Sequence, residues 1–550
     1  MRVHSAEPLG ARLVSAAVAA LFLLAASVPA QDAAPKLTAA QWQADLRFLA
    51  EAMSRQHPNL YRRTRREDFD SAVRQLHDQI PSLNEDETIA GLMRIVAMAK
   101  DGHTGLFPHA YFRTGIYPLR FYLYRDGLFV RKAAPEYGDA VGARVVRIGT
   151  STAEDALRLA SQLVSADNEM GAKENAPILL SIPELLAGMR INEDKRGLSL
   201  TVEAGGKERS FQVKPSTSFH DLLQPPAGWI DAAGAGKTET PLYLKDPKNL
   251  YWFEYVKDRK LIYVQQNAVQ NKQDEPVAAF YRRVFEFVAA NPVEKFVLDL
   301  RNNDGGNNGL NRQVIIDIIK SKIDERGKLF VITGRATFSA AQNFVNELEK
   351  YTKAIFVGEP TAAHPNHYGD ATPITLPNSR LDVRVSTIYW QDVDPRDTRR
   401  WTAPEIAADL ASADYREGRD PALQAVFDYA PGSSFADMVA AAQAQKDVAE
   451  FVGRYRAFKG DPKNRFAETE AAMNTLGYTL LRAQRVADAV EIFRLNAEAY
   501  PNSANVHDSL GDALAAAGRK DDAIKSYEKA LSIDPNYSSS VASLRRLRGN

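Results

Sequence analysis

The chain has 550 residues, of which 45% are hydrophobic and 25% charged, so it is long enough for several soluble globular domains. Its 69 basic and 69 acidic side chains cancel, which gives no electrostatic ground for binding nucleic acid or an anionic membrane surface. It contains no cysteine, which excludes disulfides, thiol nucleophiles and cysteine-ligated metals.

The N-terminal residues have the pattern of an export signal. Arg2 and Arg12 precede an apolar run over 13–26, and small residues at 28–30 fit a signal peptidase site before Gln31. Because the run is short for a membrane-spanning helix, residues 1–30 are predicted to be cleaved, with an uncleaved anchor as the alternative. The mature chain is then expected to be periplasmic or secreted, without a membrane span, and the lack of disulfides suits a bacterial periplasm.

Residues 31–113 are predicted to be helical, because apolar residues recur every three or four positions from Trp42 onward. Asn84 with Glu87 resembles a capping box that opens another helix. That helix leads to the sequence Asp-Gly-His-Thr at 101–104, where the glycine favours a helix end. A lone histidine at such a position most often bonds to backbone, so His103 needs further support before it is given a chemical role.

Residues 114–218 are predicted to form a β-rich module with two hairpins and a helical insert over 153–189. The pattern resembles a PDZ-like peptide-binding module, and a plain β-rich spacer is the alternative. Residues 219–249 are predicted to be a linker. Gly236-Lys237-Thr238 imitates the end of a phosphate-binding loop, but Asp231 stands where that loop needs glycine, which excludes nucleotide binding.

From 250 to 430 short apolar runs alternate with amphipathic stretches, which predicts an α/β domain with a mostly parallel sheet. Strands are predicted at 260–264, 296–300, 329–333 and 354–357, and helices at 277–290, 310–323 and 340–351.

The tail over 435–550 contains an internal repeat. Leu476-Gly477, Ala489, Phe493 and Pro501 recur 34 positions later as Leu510-Gly511, Ala523, Tyr527 and Pro535. This period, with small residues where two helices cross, is typical of tetratricopeptide repeats. It predicts an all-α tail that can bind a protein partner.

Two segments of the predicted α/β domain carry the residues of an acyl-transfer site. Ser339 stands at a strand-to-helix junction, where the N–H of Ala340 can face a developing oxyanion; the simpler interpretation is a helix N-cap. Gly305 and Gly306 follow the strand at 296–300, and glycine lets a backbone N–H approach a substrate oxygen. Without Ser339, the glycine pair would indicate only an ordinary loop.

The segments around His103, Gly305 and Ser339 together resemble the tail-specific or carboxyl-terminal processing peptidases, a serine peptidase group that includes the core of the tricorn protease. The resemblance covers about residues 42–429. It implies a ClpP/crotonase-like α/β core with Ser339 as nucleophile, no metal and no organic cofactor. It also implies an oxyanion hole from Ala340 and either Gly305 or Gly306.

The resemblance favours a histidine as the base. One branch of the group uses a lysine 25 residues after the serine, but that position holds His364 in this chain. The missing lysine favours the tricorn-like branch, in which the histidine matching His103 accepts the serine proton, as neutral imidazole can near pH 7. His364 stays open as the alternative base.

A third, acidic residue is implied shortly before the pair Pro404-Glu405. Counting back indicates Asp397, with Asp394 and Asp392 as rivals, although this stretch also has the composition of a turn.

The resulting interpretation is an exported serine endopeptidase that acts on peptides or proteins. A catalytically inactive scaffold that binds peptides or ligands through the same fold is the alternative. A penicillin-binding-type hydrolase has no support, because the Ser-x-x-Lys spacing at 526–529 lies inside a repeat helix.

Overall fold

The computed structural model describes residues 36–549 except 217–218, 235–239, 431–434 and 445–447. The predicted signal at 1–30 lies outside the described residues. The chain divides into two compact units, the first comprising Met1–Pro404 with Ala408–Phe427 and the second Glu405–Ala407 with Asp428–Asn550. A search of the described residues finds no helix with the length and apolar character needed to cross a membrane.

The first unit begins with helices, as predicted: α1 (Ala39–Gln56), α2 (Arg66–Gln79) and α3 (Glu85–Ala97), followed by the short strand β1 (Gly105–Phe107). The predicted capping box is present. Asn84 Oδ1 accepts the N–H of Glu87 at 2.9 Å, and the Glu87 carboxylate accepts the N–H of Asn84 at 2.9 Å. These bonds satisfy N–H groups that the first turn of α3 leaves unpaired, and so fix the start of the helix that leads to His103.

An antiparallel sheet follows, in the order β2-β3-β4-β6-β7, and both predicted hairpins are present. The elements are β2 (Leu119–Tyr124), β3 (Gly127–Ala133), β4 (Arg144–Ile148), β5 (Ser151–Thr152), α4 (Ala153–Ser161), α5 (Glu169–Leu179), α6 (Pro183–Gly188), β6 (Leu198–Ala204) and β7 (Lys207–Val213). One hydrophobic core contains Leu46 and Ile95 from the helices and Val130 and Leu200 from the sheet. The N-terminal helices and this module are therefore packed as one body.

The predicted linker carries short elements of its own: α7 (Phe219–Leu223), β8 (Ile230–Asp231) and α8 (Leu242–Lys245). Strand β8 pairs with β3 through Asp231 and Ile230. This part of the chain is thus attached to the β-rich module by backbone hydrogen bonds.

The predicted α/β alternation is confirmed. It consists of β9 (Tyr251–Val256), β10 (Leu261–Gln266), α9 (Val277–Ala290), β11 (Lys295–Asp299), α10 (Asn311–Lys320), β12 (Leu329–Thr333), α11 (Ala340–Tyr351) and β13 (Ile355–Gly358). Strands β10 to β13 are parallel neighbours in chain order, and β9 pairs antiparallel with β10. Because the carboxyl ends of parallel strands share one edge, the segments that follow β11 and β12 lie close together.

The remaining elements before the helical tail are β14 (His367–Gly369), β15 (Thr372–Thr375), β16 (Asp382–Val385), β17 (Ile388–Trp390), β18 (Ile406–Ala407), α12 (Ser412–Arg416) and α13 (Pro421–Asp428). Strand β16 pairs antiparallel with β1, with Gly105 opposite Arg384 and Phe107 opposite Asp382. This pairing anchors the residues just after His103 to a segment that follows the parallel sheet β10–β13 in sequence.

The tail of the second unit is helical: α14 (Phe435–Ala444), α15 (Val448–Gly460), α16 (Glu470–Arg482), α17 (Val486–Ala499), α18 (Ala504–Ala516), α19 (Lys520–Ile533) and α20 (Ser538–Arg548). Ala489 and Ala523 are fully buried. A methyl group added to Gly477 would lie 2.5 Å from the Phe493 ring. The small residues of the repeat thus lie where paired helices cross.

Candidate active site

Ser339 and His103 contact each other, although 236 residues separate them in the chain. His103 Nε2 lies 2.9 Å from Ser339 Oγ, which is hydrogen-bonding distance for a nucleophile and its base. Ser339 stands at the N-cap of α11, yet its side chain makes no capping hydrogen bond there. The simpler interpretation of Ser339 as a helix cap therefore does not describe its side chain.

The backbone at Ser339 is strained, with φ 53° and ψ −126°. L-residues rarely adopt such angles, which cost about 1–3 kcal/mol and persist only where the surroundings enforce them. The two preceding residues supply that enforcement. Thr337 Oγ1 donates to the Leu300 carbonyl at 2.8 Å, and the Phe338 N–H donates to the Asn303 carbonyl at 3.1 Å. The turn after β12 is thus bonded to the turn after β11.

The imidazole of His103 lies between two rings. The Phe338 ring stacks on it at a centroid distance of 4.4 Å, and the His367 ring lies nearly parallel at 5.8 Å. Burial lowers the pKa of His103 below its ordinary value of 6.5, while the charges of Asp101 and Asp370 act in the opposite direction. Near neutral pH the ring is therefore uncharged and can accept a proton at Nε2.

The N–H groups of Gly305 and Gly306 differ in whether they can bind a substrate oxygen. The N–H of Gly305 donates to Asn303 Oδ1 at 3.0 Å, which removes it from the predicted set of oxyanion donors. The N–H groups of Gly306 and Ala340 donate to no acceptor among the residues that the structure describes. Of the two glycines left open by the sequence, Gly306 is the available donor.

Gly305 has a second role, which depends on its missing side chain. Its φ is +114°, and an added Cβ would lie 2.7 Å from Ser339 Cβ and 2.9 Å from the Ala340 nitrogen. The space in front of the Ala340 N–H is therefore open only because residue 305 is glycine.

The predicted acidic residue does not reach the histidine. Asp397 forms an ion pair with Arg399 at 2.8 Å, and its rival Asp394 pairs with Arg396 at 2.7 Å. The third candidate, Asp392, accepts a hydrogen bond from Asn346 Nδ2 at 2.9 Å. His103 Nδ1 is buried and has no hydrogen-bond partner among the described residues. The assignment of Asp397 as the orienting acid is thus corrected: neighbouring arginines hold two of these carboxylates inside their own turns.

His364 does not contact Ser339 either. Its Nδ1 lies 3.0 Å from the Arg399 carbonyl and its Nε2 2.7 Å from the Asp167 carbonyl, so both ring nitrogens face backbone. Its side chain is buried, and burial lowers the pKa of His364 to about 4. The structure places His364 as a tether between two loops rather than as a base beside the serine.

Two residues that the sequence did not single out help to build the site. Asn303 makes hydrogen bonds through its carbonyl and through both polar atoms of its side chain. Its carbonyl accepts the N–H of Phe338, and its Oδ1 accepts the N–H of Gly305. Its Nδ2 donates to the Gln266 carbonyl at 3.0 Å. His367 covers one face of the His103 ring. The bonds of Asn303 to Gln266 and Phe338 could not be predicted from the local sequence, because these partners are distant in the chain. The same holds for the contact of His367 with His103. No three His, Asp or Glu residues of the described part are grouped so as to hold a metal ion.

Comparisons with known proteins identify one repeat of the tail and report solved structures that are distantly similar to the chain. The tetratricopeptide repeat model matches residues 504–537, which confirms the predicted repeat there. No curated protein matches the sequence.

Three of the solved structures that are similar to the chain cover about 70% of it. Mature CPAF is 12% identical, with 71% of this chain and 96% of that chain covered and a TM-score of 0.49. The photosystem II D1 C-terminal processing protease is 15% identical, with 69% and 98% covered and a TM-score of 0.33. The tricorn protease is 15% identical, with 71% and 36% covered and a TM-score of 0.34. Since these similarities are distant, we base the functional proposal on the geometry around Ser339.

Proposed function

We propose that this chain is a serine peptidase in which Ser339 attacks the scissile carbonyl and His103 is the general base. The observation that carries the proposal is the 2.9 Å contact between His103 Nε2 and Ser339 Oγ at a strained strand-to-helix turn. The pattern of motifs that resembles the processing peptidases supports it independently, because it singled out both residues from sequence alone.

The chemical steps follow from the positions of these groups. The Ser339 Oγ–H proton passes to His103 Nε2 as Oγ bonds to the substrate carbonyl carbon. The negative charge that develops on the carbonyl oxygen is stabilised by the N–H groups of Ala340 and Gly306. His103 then gives the proton to the leaving amine, and a water molecule hydrolyses the resulting acyl-enzyme with His103 again as the base.

A non-catalytic peptide-binding scaffold is the second candidate function. The observation that favours it concerns His103 Nδ1: within the described ranges, this atom has no carboxylate partner of the kind that orients histidine in many serine hydrolases.

Hydrolysis of an unstructured protein by the purified chain separates the two functions. Ser339→Ala and His103→Gln should each reduce cleavage by about 10³-fold or more, because members of a catalytic unit fail together. His109→Gln, at an exposed histidine, is the control and should cleave normally. The absence of cleavage by the wild type would favour the scaffold, and equal cleavage by all variants would place the nucleophile at another residue.

The cellular location, the partners and the substrate class of this reaction are also proposed. The apolar N-terminal run supports export to a periplasm or to the outside of the cell, so the mature protein should begin at Gln31 when isolated from its host. The helical repeats support recruitment of a protein substrate or partner. Peptide bonds of proteins or peptides are the proposed substrate class.

A further inference from the structure

Asp101 is a buried carboxylate two residues before the candidate base. Its side chain is fully buried, and three donors surround it. His57 Nε2 lies 3.2 Å from Oδ2, Thr104 Oγ1 donates to Oδ2 at 2.6 Å, and the backbone N–H of His103 donates to Oδ1 at 3.0 Å. The carboxylate thus holds the backbone of His103 in a short side-chain-to-backbone turn.

The tautomer of His57 is set by its other neighbour. The N–H of Asn59 donates to His57 Nδ1 at 3.1 Å, so the ring proton is on Nε2 and points at Asp101. Thr104 is held in turn, because its hydroxyl oxygen accepts the N–H of Ser386 at 3.1 Å. These contacts replace the hydrogen bonds that the carboxylate loses to water, and no arginine or lysine in the described part of the chain forms an ion pair with it.

Two buried carboxyl groups, those of Asp101 and Asp167, lie at the turn formed by residues 101–103, and their pKa values shift in opposite directions. Burial alone would raise the pKa of Asp101, but the hydrogen bond from His57, then the charge of His103, outweigh it and hold that pKa at about 2. Burial and the nearby charge of Asp101 raise the pKa of Asp167 well above its ordinary value, against a smaller effect of Arg63. The same turn therefore has one carboxyl group whose pKa is lowered and one whose pKa is raised.

We propose that Asp101 is a positioning residue that fixes the backbone of His103 and stabilises its imidazolium through space, in place of a carboxylate bonded to Nδ1. This inference rests on the proposed function, in which His103 becomes positively charged during each turnover. Asp101 lies in the low-dielectric interior, so its charge acts on the ring with little screening by water. It does not touch the substrate or the reacting atoms.

Other groups also face His103, but each of them either stabilises the charged ring less than Asp101 does or destabilises it. Asp370, after β14, carries a negative charge, but it is half-exposed and already accepts the indole N–H of Trp390 at 2.7 Å. His367, in β14, faces the ring and destabilises a charged His103 when it is itself protonated. Burial lowers the pKa of His367 to about 3, so this effect is absent near neutral pH. The backbone of Tyr368 also raises the pKa of His103, by less than the charge of either Asp101 or Asp370.

The test measures the pKa of His103 directly by NMR titration of ¹³C-labelled histidine, with the signal assigned by its loss in His103→Gln. Asp101→Asn should lower that pKa by about one unit, the size expected for loss of one nearby opposite charge. Asp101→Ser is a second neutral variant that keeps an acceptor for the His103 N–H. The test can therefore be made with whichever of the two Asp101 variants folds. Asp167→Asn is the matched control, and it should leave the pKa of His103 unchanged, because the carboxylates that act on this pKa are those of Asp101 and Asp370.

An unchanged pKa of His103 in the Asp101 variants would overturn the proposal. An equal decrease in Asp167→Asn would also overturn it, since the effect would then not depend on the Asp101 charge. This readout needs no hydrolysis, so it stays decisive even if Ser339 proves unreactive and the proposed function fails. In an active enzyme, Asp101→Asn should also reduce the plateau kcat/KM by about tenfold, the equivalent of one pKa unit, and shift its acid limb to lower pH.

Discussion

At the scale of single residues, Ser339 is held where its backbone is strained and its hydroxyl faces an uncharged imidazole. The strain is maintained by hydrogen bonds from Thr337 and Phe338 to the neighbouring turn. The strained backbone lowers the stability of the chain while it positions this hydroxyl, and such strain is typical of functional sites.

Replacing the strained serine by glycine should reveal that cost. Ser339→Gly should be about 1 kcal/mol more stable to urea unfolding than Ser339→Ala, because glycine adopts φ near +53° without the Cβ penalty. Both variants remove the hydroxyl, so alanine is the matched control. Equal free energies of unfolding for the two proteins would show that the backbone at residue 339 is relaxed.

The pH dependence of kcat/KM should report the free-enzyme pKa of His103. Activity requires the neutral ring, so kcat/KM should rise with pH and reach half its plateau below 6.5, because burial lowers this pKa. Stopped assays at constant ionic strength from pH 4.5 to 8 would measure the midpoint. A midpoint well above 7 would indicate a different base.

At the scale of elements, the site is formed where the turns after β11 and β12 meet and where β1 pairs with β16. The pairing of β1 explains how a histidine from the N-terminal region reaches a serine of the parallel sheet. The shared sheet edge explains why Gly305 packs against Ser339.

The turn at Gly305 should not tolerate a side chain. Gly305→Ala would place a methyl group 2.9 Å from the Ala340 nitrogen at a φ of +114°, so kcat/KM should decrease by about 10²-fold, comparable with loss of one oxyanion donor. Gly197→Ala is the control, since no atom lies within 4 Å of its added Cβ. Near-normal kcat/KM in Gly305→Ala would place the oxyanion elsewhere.

Much of this architecture could be predicted from periodicity. The helix at 277–290, the strand at 329–333 and the helix at 340–351 match the structure, because long apolar periods and a Gly-containing turn specify them. Strands β14 to β17 were not predicted, since three or four residues carry too little pattern.

Residue roles were harder to predict when they depended on a neighbour's side chain. Counting along the chain indicated Asp397, but no spacing rule shows that Arg399 already binds that carboxylate. Likewise, the two glycines are equivalent in sequence, and only the side chain of Asn303 distinguishes their N–H groups. The contact between His103 and Ser339 could be expected only because both segments fitted one family pattern.

At the scale of the whole molecule, the chain consists of two compact units with separate hydrophobic cores. The candidate site lies entirely in the first unit, and the tetratricopeptide repeat lies in the second. Chemistry and recruitment are therefore expected to depend on different parts of the chain.

Damage to the tail should leave the chemistry intact. Ala523→Arg places an unpaired charge at a fully buried position, so α18 and α19 should lose roughly 3 kcal/mol or more of stability, while hydrolysis of a short peptide continues. Lys525→Arg, exposed on the same helix, is the control. Loss of short-peptide hydrolysis in both Ala523→Arg and a chain truncated before Phe435 would assign the tail to the catalytic body.

The most direct test of the central claim is labelling by a fluorophosphonate, read out by mass spectrometry of the modified peptide. The reagent reacts with a serine only when a base activates it. We expect modification at Ser339 in the wild type, about 10³-fold slower modification in His103→Gln, and normal labelling in His364→Gln. Of these two histidines, it is His103 that contacts the hydroxyl, whereas His364 faces backbone carbonyls. Labelling that survives in His103→Gln but is lost in His364→Gln, or that occurs at another residue, would contradict the account.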